Sequence, residues 1–134
     1  MGRVFFNTRK NIHALDGAYT MLASDSGKTF MLSATGGTVA ITLPTTLEKG
    51  LHYKFVTLED TPSNAITIAA GSSIIDMVHK DAGGDASNST AGTAVDNIIV
   101  GATSTQGDMI NLFTDGTTWY AECLSGINDA ITTS

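Results

Sequence analysis

Residues 108–124 read DMINLFTDGTTWYAECL, and this stretch predicts a β-hairpin. Asp115 and Gly116 lie between two strand-like runs, and both residue types tolerate the positive φ of a tight hairpin turn. Successive side chains of a strand point to opposite faces, so Trp119 and Tyr120 should lie on opposite sides of the second strand. We expect one of them to anchor a core and the other to be partly exposed.

The same two-residue alternation recurs upstream of the hairpin. Apolar residues occupy every second position at Val39, Ile41 and Leu43, at Tyr53 and Phe55, and at Ile66 and Ile68. Val56 and Leu58 break the alternation, which predicts that the end of that strand is buried on both sides. Short strands separated by turn signals predict an all-β sandwich or barrel. We expect an antiparallel β-sandwich, because the chain lacks the crossover helices that usually join parallel strands.

Length and charge suggest one domain with a distinct N-terminus. The chain has 134 residues, which fits a single domain, and a net charge of −6, which disfavours nucleic acid as a partner. Residues 1–17 carry a local charge of +2, whereas residues 18–134 carry −8. Such an asymmetry is typical of an arm with its own partner, and an ordinary solvated N-terminus is the alternative. We divide the chain into an N-terminal arm, residues 1–17, and a β-sandwich domain, residues 18–134.

Membrane association and disulfide bonding are not expected from this sequence. No apolar stretch approaches the ~20 residues of a membrane helix, and the N-terminus lacks a signal-peptide pattern. Cys123 is the single cysteine, so an intramolecular disulfide is excluded. We expect Cys123 to be a small buried apolar residue.

The N-terminal arm combines adjacent aromatic residues with basic ones. Its apolar side chains need a place to be buried, either on the chain's own domain or on a partner, and its basic side chains favour an acidic partner. The predicted partner-binding residues of the arm are Arg3, Val4, Phe5, Phe6, Arg9 and Lys10.

Residues 25–29 read DSGKT, which matches only part of a phosphate-binding loop. The full pattern is Gly-x-x-x-x-Gly-Lys-[Ser/Thr], and the position of its first glycine is occupied by Leu22. We interpret the stretch as a tight turn in which Gly27 supplies a positive φ and the Asp and Ser side chains bond their own backbone. We expect Lys28 to bond a neighbouring strand or subunit.

Motifs for catalysis or metal binding are not evident. The three histidines lack metal-ligand spacing, and there is no Gly-x-Ser-x-Gly elbow, although a Ser–His–Asp triad, which assembles in space, stays open. Residues 79–94 read as a long loop of small residues, a kind that is usually functional or mobile. Within it, Asp81, Asp85 and Asn88 do not match a calcium loop. The sequence therefore predicts a non-enzymatic module, without metal or cofactor, that acts through its surface.

Three stretches of the chain resemble virion structural proteins of tailed bacteriophages. Residues 18–32, 39–44 and 50–56 contain the patterns Ala-x-Asp-Ser-Gly-Lys-Thr-Phe, Ile-Thr-Leu-Pro and Gly-Leu-x-Tyr-x-Phe. Residues 66–68 and the Asp-Gly-x-x-Trp of residues 115–119 extend the likeness. Capsid decoration (cement) proteins look similar, as do β-rich modules of phage fibres and spikes.

The resemblance implies a jelly-roll β-sandwich that assembles as a homotrimer on the outer surface of a capsid. Such a protein would bind the major capsid protein, stabilise the shell, and reside in the virion after assembly in the host cytoplasm. The alternative is a receptor- or glycan-binding module of a tail fibre or spike, with Tyr120 or Tyr53 stacking on sugars. A third hypothesis, a virion-associated hydrolase, has no support from a sequence motif.

Overall fold

Ten β-strands make up most of the regular structure of the described chain. The computed structural model describes residues 11–80 and 94–134, apart from the side chains of residues 71–73 and 75–80. The strands are β1 (Ile12–Leu15), β2 (Tyr19–Thr20), β3 (Thr29–Leu32), β4 (Val39–Thr42), β5 (His52–Thr57), β6 (Ile66–Lys80), β7 (Ala94–Val100), β8 (Met109–Thr114), β9 (Trp119–Leu124) and β10 (Ile131–Thr133). A 3-10 turn occurs at Ala23–Asp25, and no α-helix occurs in the described ranges. The prediction of an all-β protein is confirmed.

The strands form two five-stranded layers that are joined at one side. The first layer has the order β1-β3-β5-β8-β9, and the second has the order β2-β4-β6-β7-β10. The first part of the long strand β6 lies between β4 and β7, and its second part pairs with β9. A break in the β6–β7 register between Ala69 and Ile74 accompanies this change of partner. The result is a sandwich-like fold around one core.

The first six strands wind as a coil that alternates between the two layers. Strands β1, β3 and β5 are parallel neighbours in the first layer, and β2, β4 and β6 are parallel neighbours in the second. In the first layer Ile12 pairs with Thr29, 17 positions later, and Thr29 pairs with Lys54, 25 positions later. Because the spacing differs between turns of the coil, no regular sequence repeat marks it.

The expectation of an antiparallel sandwich is wrong for this coil, and the two layers are mixed. The antiparallel pairs are β5–β8, β8–β9, β6–β7 and β7–β10. A parallel pair needs a crossover connection, and that connection is most often a helix. Here the chain makes each crossover through a strand of the opposite layer, so parallel pairs form without helices. The jelly-roll connectivity is not confirmed.

Alternating side chains of both layers form the core, as the sequence pattern predicts. In β4, Val39 and Ile41 are buried, and Ala40 and Thr42 are exposed. The largest fully buried side chains include Trp119, Tyr53, Phe30, Phe55, Met21 and Leu32. Burial of each large apolar side chain contributes about 1.5–3 kcal/mol, so this cluster is the main source of stability.

The end of β5 differs from its prediction. Tyr53 and Phe55 point into the core, and the third inward position is Thr57, which is buried. Val56 is only partly buried, and Leu58 is 38% exposed, so this strand end is not buried on both sides. The outer side of β5 has no further layer of described residues over it, and the alternation continues to the end of the strand.

The β8–β9 hairpin is confirmed, with a four-residue connection. Thr114 pairs with Trp119, which leaves residues 115–118 as the loop. Gly116 has a φ of 101°. Trp119 is fully buried and Tyr120 is partly exposed, so the expected division between anchor and surface residue is also confirmed.

The DSGKT stretch forms the expected turn, but Ser26 Oγ accepts from the backbone N–H of His52 in β5 at 3.1 Å, where a bond to its own backbone was predicted. Gly27 has a φ of 84°. The buried carboxylate of Asp25 accepts hydrogen bonds from the backbone N–H of Leu22 at 3.0 Å and from the Tyr19 hydroxyl at 3.0 Å. Lys28 Nζ donates to Asp25 Oδ1 at 2.7 Å, and the Lys28 carbonyl accepts from the Lys54 N–H of the neighbouring strand β5 at 3.3 Å. A bond from Lys28 to another subunit stays a prediction. The lysine is held inside its own turn because the buried carboxylate lies three residues away.

Candidate contact face

The predicted partner-binding residues lie outside the described part of the chain. Arg3, Val4, Phe5, Phe6, Arg9 and Lys10 all precede residue 11. Residues 12–15, which the sequence division places in the arm, form β1 and pair with β3. The arm as a partner-binding segment therefore stays a prediction.

The predicted loop at residues 79–94 is described only at its ends. Residues 79 and 80 belong to β6, and residue 94 begins β7. Residues 81–93 lie outside the described residues, and with them Asp81, Asp85 and Asn88.

The outward side of β5, β8 and β9 forms a continuous surface, which we call the contact face. One cross-strand row of this face is aliphatic. Val56 of β5 pairs with Met109 of β8, which pairs with Leu124 of β9. Met31 of β3 extends the row beyond Val56. All four side chains are partly exposed, so the row presents apolar surface to whatever lies outside the sheet.

The next row of the contact face is polar and charged at both ends. Lys54 of β5 pairs with Asn111 of β8, which pairs with Glu122 of β9. The Asn111 side-chain amide donates to Glu122 Oε2 at 3.4 Å. No described residue forms an ion pair with Lys54 or Glu122. The row thus carries a positive charge on one side of β8 and a negative charge on the other.

The third row of the contact face is aromatic. His52 pairs with Phe113, which pairs with Tyr120. The Phe113 and Tyr120 rings are stacked, with centroids 5.3 Å apart and an interplanar angle of 17°. Phe113 is 44% exposed. Two large rings on a rigid hairpin offer contact area that loses little conformational entropy on binding.

The hairpin loop holds the Tyr120 ring through Asp115. The Tyr120 hydroxyl donates to Asp115 Oδ2 at 3.2 Å, and this bond raises the pKa of Tyr120. The other oxygen of Asp115 accepts from the backbone N–H of Thr117, the Thr117 hydroxyl and the backbone N–H of Thr118, at 2.8–2.9 Å. These bonds favour the charged form and lower the pKa of Asp115 to about 2.

Tyr53, the other tyrosine considered for sugar stacking, is not a surface residue. It is 2% exposed and packs on Trp119 with ring centroids 5.7 Å apart. Its hydroxyl donates to the Leu22 carbonyl at 2.9 Å, and burial, followed by the nearby Asp25 and Glu48 charges, raises its pKa to about 12. Tyr53 is therefore a core residue that also supports the DSGKT turn.

At the DSGKT turn, Ser26 Oγ lies 3.5 Å from His52 Nδ1, and the same nitrogen lies 3.1 Å from the Gly50 carbonyl oxygen. His13 stacks on Phe30, His52 is exposed, and Cys123 is buried as expected. The described residues contain no group of three or more His, Cys, Asp or Glu side chains placed to hold a metal. A cleft of about 290 Å³ lies along residues 20–23 and 42–46, and Glu48 is its one carboxylate.

The sequence points to only part of the contact face. Tyr120 is identified by its alternation with Trp119, and Phe113 could have been found in the same way from its inward neighbour Leu112. The aliphatic row could not be predicted from alternation, because its members become neighbours only through strand register. They are Met31, Val56, Met109 and Leu124.

Comparison with protein-family models and with curated proteins gave no match to this chain. None of the helical segments in the described ranges is long and apolar enough to cross a membrane.

Proposed function

We propose that this chain is a non-enzymatic virion structural protein, a decoration or cement protein that binds the outer surface of a phage capsid and stabilises it. The observation that carries the protein-contact part of the proposal is the contact face, where an aliphatic row and an aromatic row flank a charged row on one sheet. A surface of this kind is suited to binding another folded protein. The resemblance of three stretches to phage virion proteins supplies the identity of the assembly.

In this proposal the arm contacts the major capsid protein. Its basic residues favour acidic patches on the shell, and its phenylalanines become buried in the complex. Many copies, arranged by the symmetry of the shell, convert modest contacts into stable attachment. The jelly-roll connectivity, the homotrimer, and the location on the virion after assembly in the host cytoplasm are further predictions from the resemblance.

A sedimentation experiment with bare capsids tests this function. Capsids assembled from the major capsid protein of the same phage are mixed with the full chain and pelleted, and bound protein is measured. We expect saturable binding. A chain of residues 11–134, and a full chain with Arg3, Arg9 and Lys10 replaced by alanine, should both lose most of their occupancy. Full occupancy by both variants would reject the arm as the capsid contact, and no binding by the full chain would reject the decoration function.

A glycan- or receptor-binding module of a tail fibre or spike is the second candidate function. The exposed Phe113–Tyr120 stack beside the Asp115 carboxylate favours it, because aromatic faces and carboxylates are common contacts in small-molecule sites. Binding on a glycan array would support this function if Tyr120→Ala abolishes it and Thr42→Ala, on the outer side of β4, leaves it unchanged. Absence of binding on a broad array would count against it.

A further inference from the structure

We infer that the contact face binds the same face of a second copy of this chain, about a two-fold axis parallel to β8 and midway between the two sheets. This makes the chain a dimer, in place of the homotrimer that the resemblance implies. The inference rests on the proposed function in one respect, that this face is a protein-contact surface. It names the partner of that surface and leaves the capsid contact to the arm.

The charged row suggests this partner. Lys54 and Glu122 lie in one row on opposite sides of β8, with Asn111 between them. A two-fold axis parallel to β8, midway between two facing sheets, exchanges the two sides of the strand. Lys54 of one copy then lies opposite Glu122 of the other, and the same contact occurs a second time by symmetry. Neither Lys54 nor Glu122 forms an ion pair with a described residue of its own copy, and in this arrangement each forms one with the other copy.

The other two rows fit the same operation. Met109 lies on β8 itself, so it faces Met109 of the second copy, and Val56 faces Leu124. At the aromatic end Phe113 faces Phe113, and His52 faces Tyr120. Aliphatic surface thus covers aliphatic surface, and rings contact rings, as in the core of a stable interface.

The charges also exclude the alternative orientation. An axis perpendicular to β8, through the charged row, would place Lys54 opposite Lys54 and Glu122 opposite Glu122. Like charges in an interface are strongly unfavourable, so the pattern favours the axis parallel to β8 over the perpendicular one. An unrelated partner would not require opposite charges at equal distances on either side of one strand, and this symmetry is the reason for choosing a second copy.

The test measures mass in solution together with charge reversal. Sedimentation equilibrium of the full chain should give twice the 13.9 kDa of one chain. Lys54→Glu and Glu122→Lys should each raise the dissociation constant by about tenfold or more, because each brings like charges together. The double variant that carries both changes should return to within a few-fold of the original, because it restores opposite charges in exchanged positions.

A matched control separates this effect from general changes in charge. Asp96 is an exposed carboxylate of β7 in the second layer, so Asp96→Lys should leave the mass unchanged. Circular dichroism and thermal unfolding check that each variant folds, and the double variant keeps the test decisive where a single reversal also weakens the fold.

The outcomes are distinct from those of the capsid experiment. A mass of one or three chains at all accessible concentrations would overturn the inference, and so would a double variant that dissociates as fully as both single variants. A dimer that does not bind capsids would leave this inference standing and reject the decoration function. Capsid binding by a chain that stays monomeric would overturn this inference and support the decoration function.

Discussion

At the scale of single residues, two carboxylates stabilise two turns in different surroundings. Asp115 is exposed and accepts three bonds within its own loop. Asp25 is buried, and burial raises its pKa, but bonds from Lys28, the Leu22 backbone and Tyr19 outweigh it and leave the pKa lowered. In both turns the charged form of the carboxylate is the one that the hydrogen bonds favour.

The first prediction concerns the titration of Asp115. Its pKa of about 2 in the folded chain lies below the unfolded value of about 3.9. Its contribution to stability is therefore complete above pH ~4 and is lost as the pH falls from ~4 toward ~2. NMR titration of the side-chain carboxyl should show the low value, and Thr117→Val, which removes one donor, should raise it. An ordinary pKa for Asp115 would contradict the loop geometry.

The second prediction concerns the buried hydroxyl of Tyr53. Tyr53→Phe keeps the ring against Trp119 and removes the bond to the Leu22 carbonyl. We expect the free energy of unfolding to fall by about 0.5–1.5 kcal/mol, the usual net value of one hydrogen bond. Urea denaturation measures it. Tyr120→Phe, at a partly exposed site, is the control and should have a smaller effect.

At the scale of elements, alternation along a strand decides which side chains are essential. The buried positions of β4 contact the core and its exposed positions do not, although the residues are adjacent in sequence. This arises from the two-residue period of an extended chain. The same period explains why alternating apolar residues in the sequence predict which positions of a strand are buried.

The third prediction compares neighbouring positions of β4. Ile41→Ala should reduce the free energy of unfolding by about 2–5 kcal/mol, because it removes a fully buried side chain and leaves a cavity. Thr42→Ala, at the next and exposed position, should change it by no more than about 0.5 kcal/mol. Thermal or urea unfolding of both variants decides the point, and equal effects would mean that β4 is not oriented as described.

At the scale of the whole molecule, the coil leaves its first strands at the edges of both layers. β1 and β2 each have one described neighbour, β3 and β4 respectively. The inward side chains of β1, His13 and Leu15, are only partly buried, whereas Phe30 and Leu32 of β3 are at most 2% exposed. The core is thus better covered toward the middle of the sheets.

The fourth prediction follows from this gradient. In native-state hydrogen exchange, backbone amides of β5 and β8 should exchange more slowly on average than those of β1 and β2, because edge strands open locally at lower free energy. Mass spectrometry of peptides from each strand measures this. Equal protection of β1 and β5 would show that β1 is covered by a neighbour that the described residues do not supply.

Local sequence signals were sufficient to predict β4, β5, the start of β6, the β8–β9 hairpin and the DSGKT turn, together with the core-facing residues of most of these strands. They did not mark β1, β2 or β10, and β1 lies within the stretch assigned to the arm. The predicted features depend on backbone sterics and on a two-residue period, and both act over a few neighbouring positions.

The direction and the neighbours of the strands could be read only from the folded chain. The parallel pairing of Thr29 with Lys54, and the row that brings Met31 beside Val56, join residues about 25 positions apart. No local preference distinguishes these pairs from others, because register is selected by how two whole layers bury their apolar faces together. The contact face depends on the same registers, and for that reason it became visible only in the folded chain.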